Sequence, residues 1–131
     1  MHMGRLGCKC GHVIVDTRDS LPFAAQVIPD QSFYEAYERI EEVIDSLIHA
    51  TKVGKRKEWI ESQLGPQYPG DQTDTQMIDD IFTSKLTGLT RTMYQCEKCK
   101  RIWIQKGQSD QYVSFVPENE DECANILNTR I

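Results

Sequence analysis

Two pairs of closely spaced thiols are the residues of this sequence best suited to chemistry: Cys8-Lys9-Cys10 near one end, and Cys96-Glu97-Lys98-Cys99 far along the chain. Thiols at such spacings can converge on one side of a tight turn. Four of them make a complete donor set for a soft divalent ion. The expectation is a single Zn²⁺ held by Cys8, Cys10, Cys96 and Cys99 in a tetrahedron that closes a loop across most of the chain. With all positions filled by sulfur the ion is structural, because a zinc ion that activates water keeps one position open. Iron in the same set would be a redox centre, so zinc is preferred and iron stays open. His12, directly after Gly11, is an alternative donor in place of Cys8 or Cys10. Cys123 is left over.

Those thiols need elements to bring them together. His12 to Thr17 is short and β-branched and reads as a strand leaving the first knuckle. Phe23 to Ile28, beyond the turn around Pro22, reads as a second strand able to form a hairpin with it. Ser32 and Glu35 have capping-box spacing ahead of a long helix with an apolar stripe of Phe33, Tyr37, Ile40, Ile44 and Leu47, widened to a core face by Ala36, Val43 and Ile48. His49 falls near its end, where its natural role is with the helix dipole. A second helix continues through Trp59, Ile60 and Leu64 to a stop at Gly65-Pro66. A third, capped by Asp74 or Thr75, runs to Thr83 through Met77, Ile78, Ile81 and Phe82. Asp79 and Asp80 point to solvent rather than to a shared site. Thr90 to Gln95, Ile102 to Ile104 and Tyr112 to Val116 then form an antiparallel meander around the second knuckle. A short helix is expected around Cys123 to Leu127.

The pieces make one α+β domain over 1–131. It has an antiparallel zinc-ribbon-like sheet, knuckles at 8–12 and 96–99, and about three helices inserted over roughly 32–85. A chain of 131 residues that is 39% apolar and 27% charged fits one folded domain rather than a disordered chain. No apolar run approaches the length of a membrane span, and the first residues lack a signal-peptide core, so the sequence reads as cytoplasmic. In that compartment clustered thiols are more often ligands than disulfides.

Cys8-Lys9-Cys10-Gly11 together with Cys96-Glu97-Lys98-Cys99 resembles the paired knuckles of zinc ribbons and rubredoxin-like modules, a likeness covering about 25 residues. In those modules a knuckle is usually CxxC followed by Gly, with turn N–H groups donating to the thiolates. Here the first knuckle is one residue shorter, and Lys100 stands where the second would carry Gly.

No activated nucleophile, HExxH helix, phosphate-cradling glycine loop or paired catalytic carboxylates is visible, so the expected class is non-enzymatic. The preferred reading is a zinc-binding scaffold for protein–protein interaction. A formal net charge of -5 favours a basic partner, and a bacterial immunity-type inhibitor of a basic toxin is one form of it. The alternatives are a nucleic-acid-binding zinc ribbon and a rubredoxin-like electron carrier. The former would use Lys52, Lys55, Arg56, Lys57, Lys98, Lys100, Arg101 and Trp103, against the net charge.

Overall fold

The computed structural model describes residues 4–119 and 126–127. Among the described residues six strands and three helices follow one another as β1 (Gly4–Gly7), β2 (Val13–Asp16), β3 (Ala24–Val27), α1 (Asp30–Lys52), α2 (Arg56–Leu64), α3 (Asp74–Leu86), β4 (Arg91–Gln95), β5 (Ile102–Gln105) and β6 (Tyr112–Phe115). This is an α+β fold with the helices inserted between β3 and β4. Pro29–Leu89 forms one compact unit. The chain up to Ile28 and from Thr90 onward forms the other.

In the strand unit, β1 and β2 make an antiparallel ribbon with Leu6 opposite Ile14. The remaining strands form an antiparallel sheet in the order β3-β4-β5-β6. The hairpin expected between residues 12–17 and 23–28 does not form: β2 pairs with β1, and β3 pairs with β4, Ala24 lying opposite Tyr94. The first knuckle turns the chain straight back on Gly4–Gly7, which gives β2 a neighbour before β3 is reached. Gln95 N–H then donates to Phe23 C=O at 2.8 Å and ties β3 to the second half of the chain. Gly4-Arg5-Leu6-Gly7 was not legible as a strand, since two glycines in four residues carry a poor strand signal.

Alternation along the sheet sorts its side chains onto two faces. Ala24, Tyr94, Trp103 and Ser114 share one row, on the face that packs with Cys8, Ile14 and Cys96 to make the core of this unit. Tyr94 O–H donates to the buried Asp16 carboxylate, so a polar bond joins the ribbon to the sheet within that core. Burial and this bond hold the Tyr94 phenol far above its usual ionisation range.

The helical unit has its own core of Leu47, Ala50, Trp59, Met77 and Ile81. Its longest helix starts earlier than the capping-box spacing predicts. Pro29 is the N-cap, Phe33 N–H donates to Pro29 C=O at 2.9 Å, and Ser32 lies inside the first turn without capping. The fixed φ of proline, with Asp30 against the helix dipole, takes over the role assigned to Ser32. The buried line is narrower than the expected face and extends to Ala50. Ala36, Ile40, Leu47 and Ala50 are buried, while Phe33 and Tyr37 remain exposed and stack on each other at 6.2 Å. Ala50 packs with Trp59 of α2 and with Met77 and Ile81 of α3 in the core of this unit.

The helix ends in a Schellman motif. Lys55 N–H reaches Ala50 C=O at 2.8 Å and Gly54 N–H reaches Thr51 C=O at 3.3 Å, with Gly54 at φ 76°. His49 is exposed in the last turn, where a positive charge suits the dipole. Trp59 on α2 donates its indole N–H to Ser46 on α1 at 2.8 Å. The cap of α3 is Thr73 rather than Asp74 or Thr75. Its hydroxyl accepts from Gln76 N–H at 3.1 Å, and Gln76 Oε1 accepts from Thr73 N–H at 3.0 Å. Asp79 and Asp80 are exposed as expected. The Asp80 carboxylate accepts the Tyr68 phenol, which pushes Tyr68 up to about 12. Cys123 and most of the expected terminal helix lie outside the described residues.

Candidate metal centre

Each thiol pair sits on a turn closed by the same kind of backbone bond. In the first, Cys8 N–H donates to His12 C=O at 2.8 Å and Gly11 N–H to Cys8 C=O at 3.0 Å. In the second, Cys96 N–H donates to Arg101 C=O at 2.8 Å and Lys100 N–H to Cys96 C=O at 2.9 Å. The first closure spans one residue fewer, which is how a CxC can stand where CxxC is usual: the turn is tighter and both thiols still emerge on one side. Gly11 and Lys100 occupy equivalent places just before the closing carbonyl, with φ of 96° and 67°. Lysine there accepts the left-handed strain that glycine would avoid, on the order of 1–2 kcal/mol. Its Nζ is held by Glu97 C=O at 2.9 Å.

The two turns face each other, and the expected set comes together. The Sγ atoms of Cys8, Cys10, Cys96 and Cys99 all lie within 4.8 Å of one another. Across the turns Cys8 approaches Cys99 at 3.5 Å, and Cys10 approaches Cys96 at 3.6 Å. These are not disulfides; all four thiols are free. A tetrahedron with metal–sulfur bonds of about 2.3 Å has edges of about 3.8 Å, so the separations fit one shared ion. His12 is outside this group. Its Nε2 lies 3.7 Å from Glu97 Oε1, a contact between the two turns rather than a fifth ligand.

The surroundings act on the thiols in opposite directions. Burial alone would disfavour the charged form of Cys8. The Cys10 backbone N–H, the Trp103 indole and the neighbouring thiols outweigh it and hold Cys8 down to about 6. Cys96 is fully buried, and burial pushes it up to about 11 despite the backbone N–H groups of Cys99 and Lys98. Arg101 Nη1 lies 3.6 Å from Cys99 Sγ. The guanidinium in turn ionises above its usual range through hydrogen bonding to Cys8 and then Cys99. Trp103 Nε1 is buried without a well-formed hydrogen bond, beside Cys8, whose thiolate is the acceptor it requires. A buried N–H that needs an anionic sulfur is a second observation in favour of a metallated set, because metal binding deprotonates its thiols.

Arg101 and Trp103 are therefore outer partners of the thiols, a role that sequence reasoning missed by grouping them with basic residues for nucleic acid. The available signal was position: they follow Cys99 by two and four residues, on the segment leaving the turn. Arg56, from the same grouping, pairs with Asp74 and Thr51 in the helical unit. The basic residues of the two segments lie in different units.

Among the described residues no helix is long and apolar enough to cross a membrane. A family model described as a domain of unknown function (DUF8617) matches residues 4–119, spanning both thiol pairs and the helical unit between them. No curated protein and no solved structure matches the chain.

Proposed function

Because the chain belongs to the DUF8617 family, whose description leaves function to the site itself, we propose that it is a non-enzymatic scaffold for protein–protein interaction, stapled by one structural Zn²⁺ on Cys8, Cys10, Cys96 and Cys99. The observation that carries this reading is the mutual approach of four sulfurs within 4.8 Å. A set of four thiolates fills the coordination sphere of Zn²⁺ and leaves no position for water or substrate. Soft sulfur donors favour zinc among abundant d¹⁰ ions, and bound zinc supplies cross-linking rather than acid–base chemistry here. The outer donors act in the same direction. The Arg101 guanidinium offsets part of the net negative charge of a tetrathiolate centre, and donation from Trp103 makes Cys8 a less reactive nucleophile.

A net charge of -5 favours a basic partner surface, and neutralisation of a basic toxin is the most specific form of this reading. The test is metal analysis of the purified protein, followed by binding to a basic protein encoded beside it. A colourless protein with one zinc per chain, which retains that partner and protects cells from it, supports the reading. A red protein with reversible one-electron reduction would make it an electron carrier instead. Material with no stoichiometric metal would remove the staple.

A further inference from the structure

The sheet of the strand unit has a second face and an open edge that the metal centre does not use. Opposite the row of Tyr94 and Trp103 lie two other rows, Met93–Ile104–Val113 and Gln95–Ile102–Phe115. Both end on β6, where Val113 and Phe115 are exposed, as is Val116 just beyond the strand. A shallow depression of about 260 Å³ lies there, lined by Ile102, Ile104, Phe115, Val116, Pro117 and Ile126 together with Gln95 and Lys100, whose ammonium is taken up by Glu97 C=O. Among the described residues no strand pairs with the outer side of β6. Natural edges are usually blunted by a charge, a proline or a bulge within the strand. From Tyr112 to Val116 there is neither charge nor proline.

Charge at the two ends of this edge indicates what fits it. Asp110 precedes the strand and Glu118 follows it, and both are exposed. A second copy of this chain is a poor occupant. Antiparallel pairing of β6 with itself about Ser114 sets Asp110 opposite Glu118 at both ends, and like charges placed directly opposite are destabilising. A strand with cations at both ends meets the acidic residues in either direction.

We propose that the outer edge of β6 is a docking site for an extended segment of a protein partner, which adds as a fifth strand, places apolar side chains against Val113, Phe115 and the depression beside them, and carries basic residues at its ends. Main-chain hydrogen bonds hold the segment and the apolar row sets its register. The flanking charges select among partners and speed encounter. This rests on the scaffold reading above and assigns its surface to the β6 edge rather than to α1, where Glu35, Glu38, Glu41, Glu42 and Asp45 are exposed.

The test uses the full zinc-loaded chain and two synthetic peptides with the same alternating Val/Thr centre, one with Lys-Arg ends and one with Glu ends. Amide exchange and chemical shifts are followed during titration. The expected result is slowed exchange for amides of Tyr112–Phe115 with the basic peptide alone, an affinity that falls with salt, and about tenfold weaker binding in Val113→Lys, which places a charge on the edge. The pair Asp110→Lys and Glu118→Lys, both exposed, is expected to reverse the preference toward the Glu-ended peptide. That variant keeps the test decisive if Val113→Lys unfolds. Equal binding of both peptides, no binding of either, or an unchanged preference in the charge-reversed variant overturns the proposal. Protection mapped to α1 overturns the edge assignment while leaving the scaffold reading intact. That reading falls separately, through the metal content.

Discussion

Stripping the metal from the intact protein is expected to unfold the strand unit and leave the helical unit folded. Of the five side chains at the centre of the strand-unit core, Cys8 and Cys96 are themselves candidate ligands, which leaves Ile14, Tyr94 and Trp103. Burying a large apolar side chain contributes about 1.5–3 kcal/mol, so these three supply on the order of 9 kcal/mol at most. A structural zinc site contributes about 10–16 kcal/mol at neutral pH. The metal term thus exceeds what those three side chains supply, and losing it exceeds the margin by which most domains are stable. The helical unit keeps Leu47, Ala50, Trp59, Met77 and Ile81, none of them a metal ligand. All three helices lie in it. The two tryptophans are divided between the units, so a Trp59→Phe protein leaves Trp103 as the reporter of the strand unit. On chelation, Trp103 emission should shift to the red and the β4 and β5 amides should lose exchange protection. Far-UV helical ellipticity should barely change. Loss of helix in parallel with the Trp103 shift, or a Trp103 signal indifferent to chelator, would refute the reasoning that the metal holds one unit and not the other.

Cys96→Ser, at the most buried of the four sulfurs, is expected to abolish stoichiometric zinc, whereas His12→Ala should leave one zinc per chain; both are read by metal analysis after gel filtration. Tyr94→Phe removes the donor to the buried Asp16 carboxylate and should destabilise the zinc-loaded protein by about 1–3 kcal/mol in denaturant titration, without altering zinc content. Thr73→Ala breaks the capping box of α3, which should cost about 1 kcal/mol in the helical unit and leave zinc affinity unchanged. Tyr68 is raised above its unfolded value by Asp80, so its contribution to stability is fully present below about pH 10 and is lost as pH climbs through about 12. In Asp80→Asn the phenolate absorbance of Tyr68 should appear nearer the ordinary tyrosine range.

How much was legible in the sequence differs between elements for identifiable reasons. The helices were readable because their apolar spacing and stop signals are local: Gly65-Pro66 does end α2, and Met77 and Ile81 do face inward on α3. The capping of α1 and α3 was misplaced because several residues near each start can cap, and the choice among them depends on where the first backbone bond closes. The expected face of α1 holds at Ala36, Ile40 and Leu47 and fails at Phe33, Tyr37 and Ile48, because apolar spacing does not show how far around a helix its neighbours reach.

The sequence by itself determined which four thiols come together and the class of fold. Four soft donors at short spacings and alternating or helical apolar patterns are properties of residues close in the chain, and such properties survive without knowledge of the rest. Only the tertiary structure decided which strand pairs with which, because pairing joins residues such as Ala24 and Tyr94 that no local signal connects. It also decided that the shortened first knuckle closes over a tighter turn, and that Arg101 and Trp103 stand beside the thiols. A side chain's partner across space is chosen by the packing of the whole unit, in which burial, charge and backbone bonding must be satisfied together.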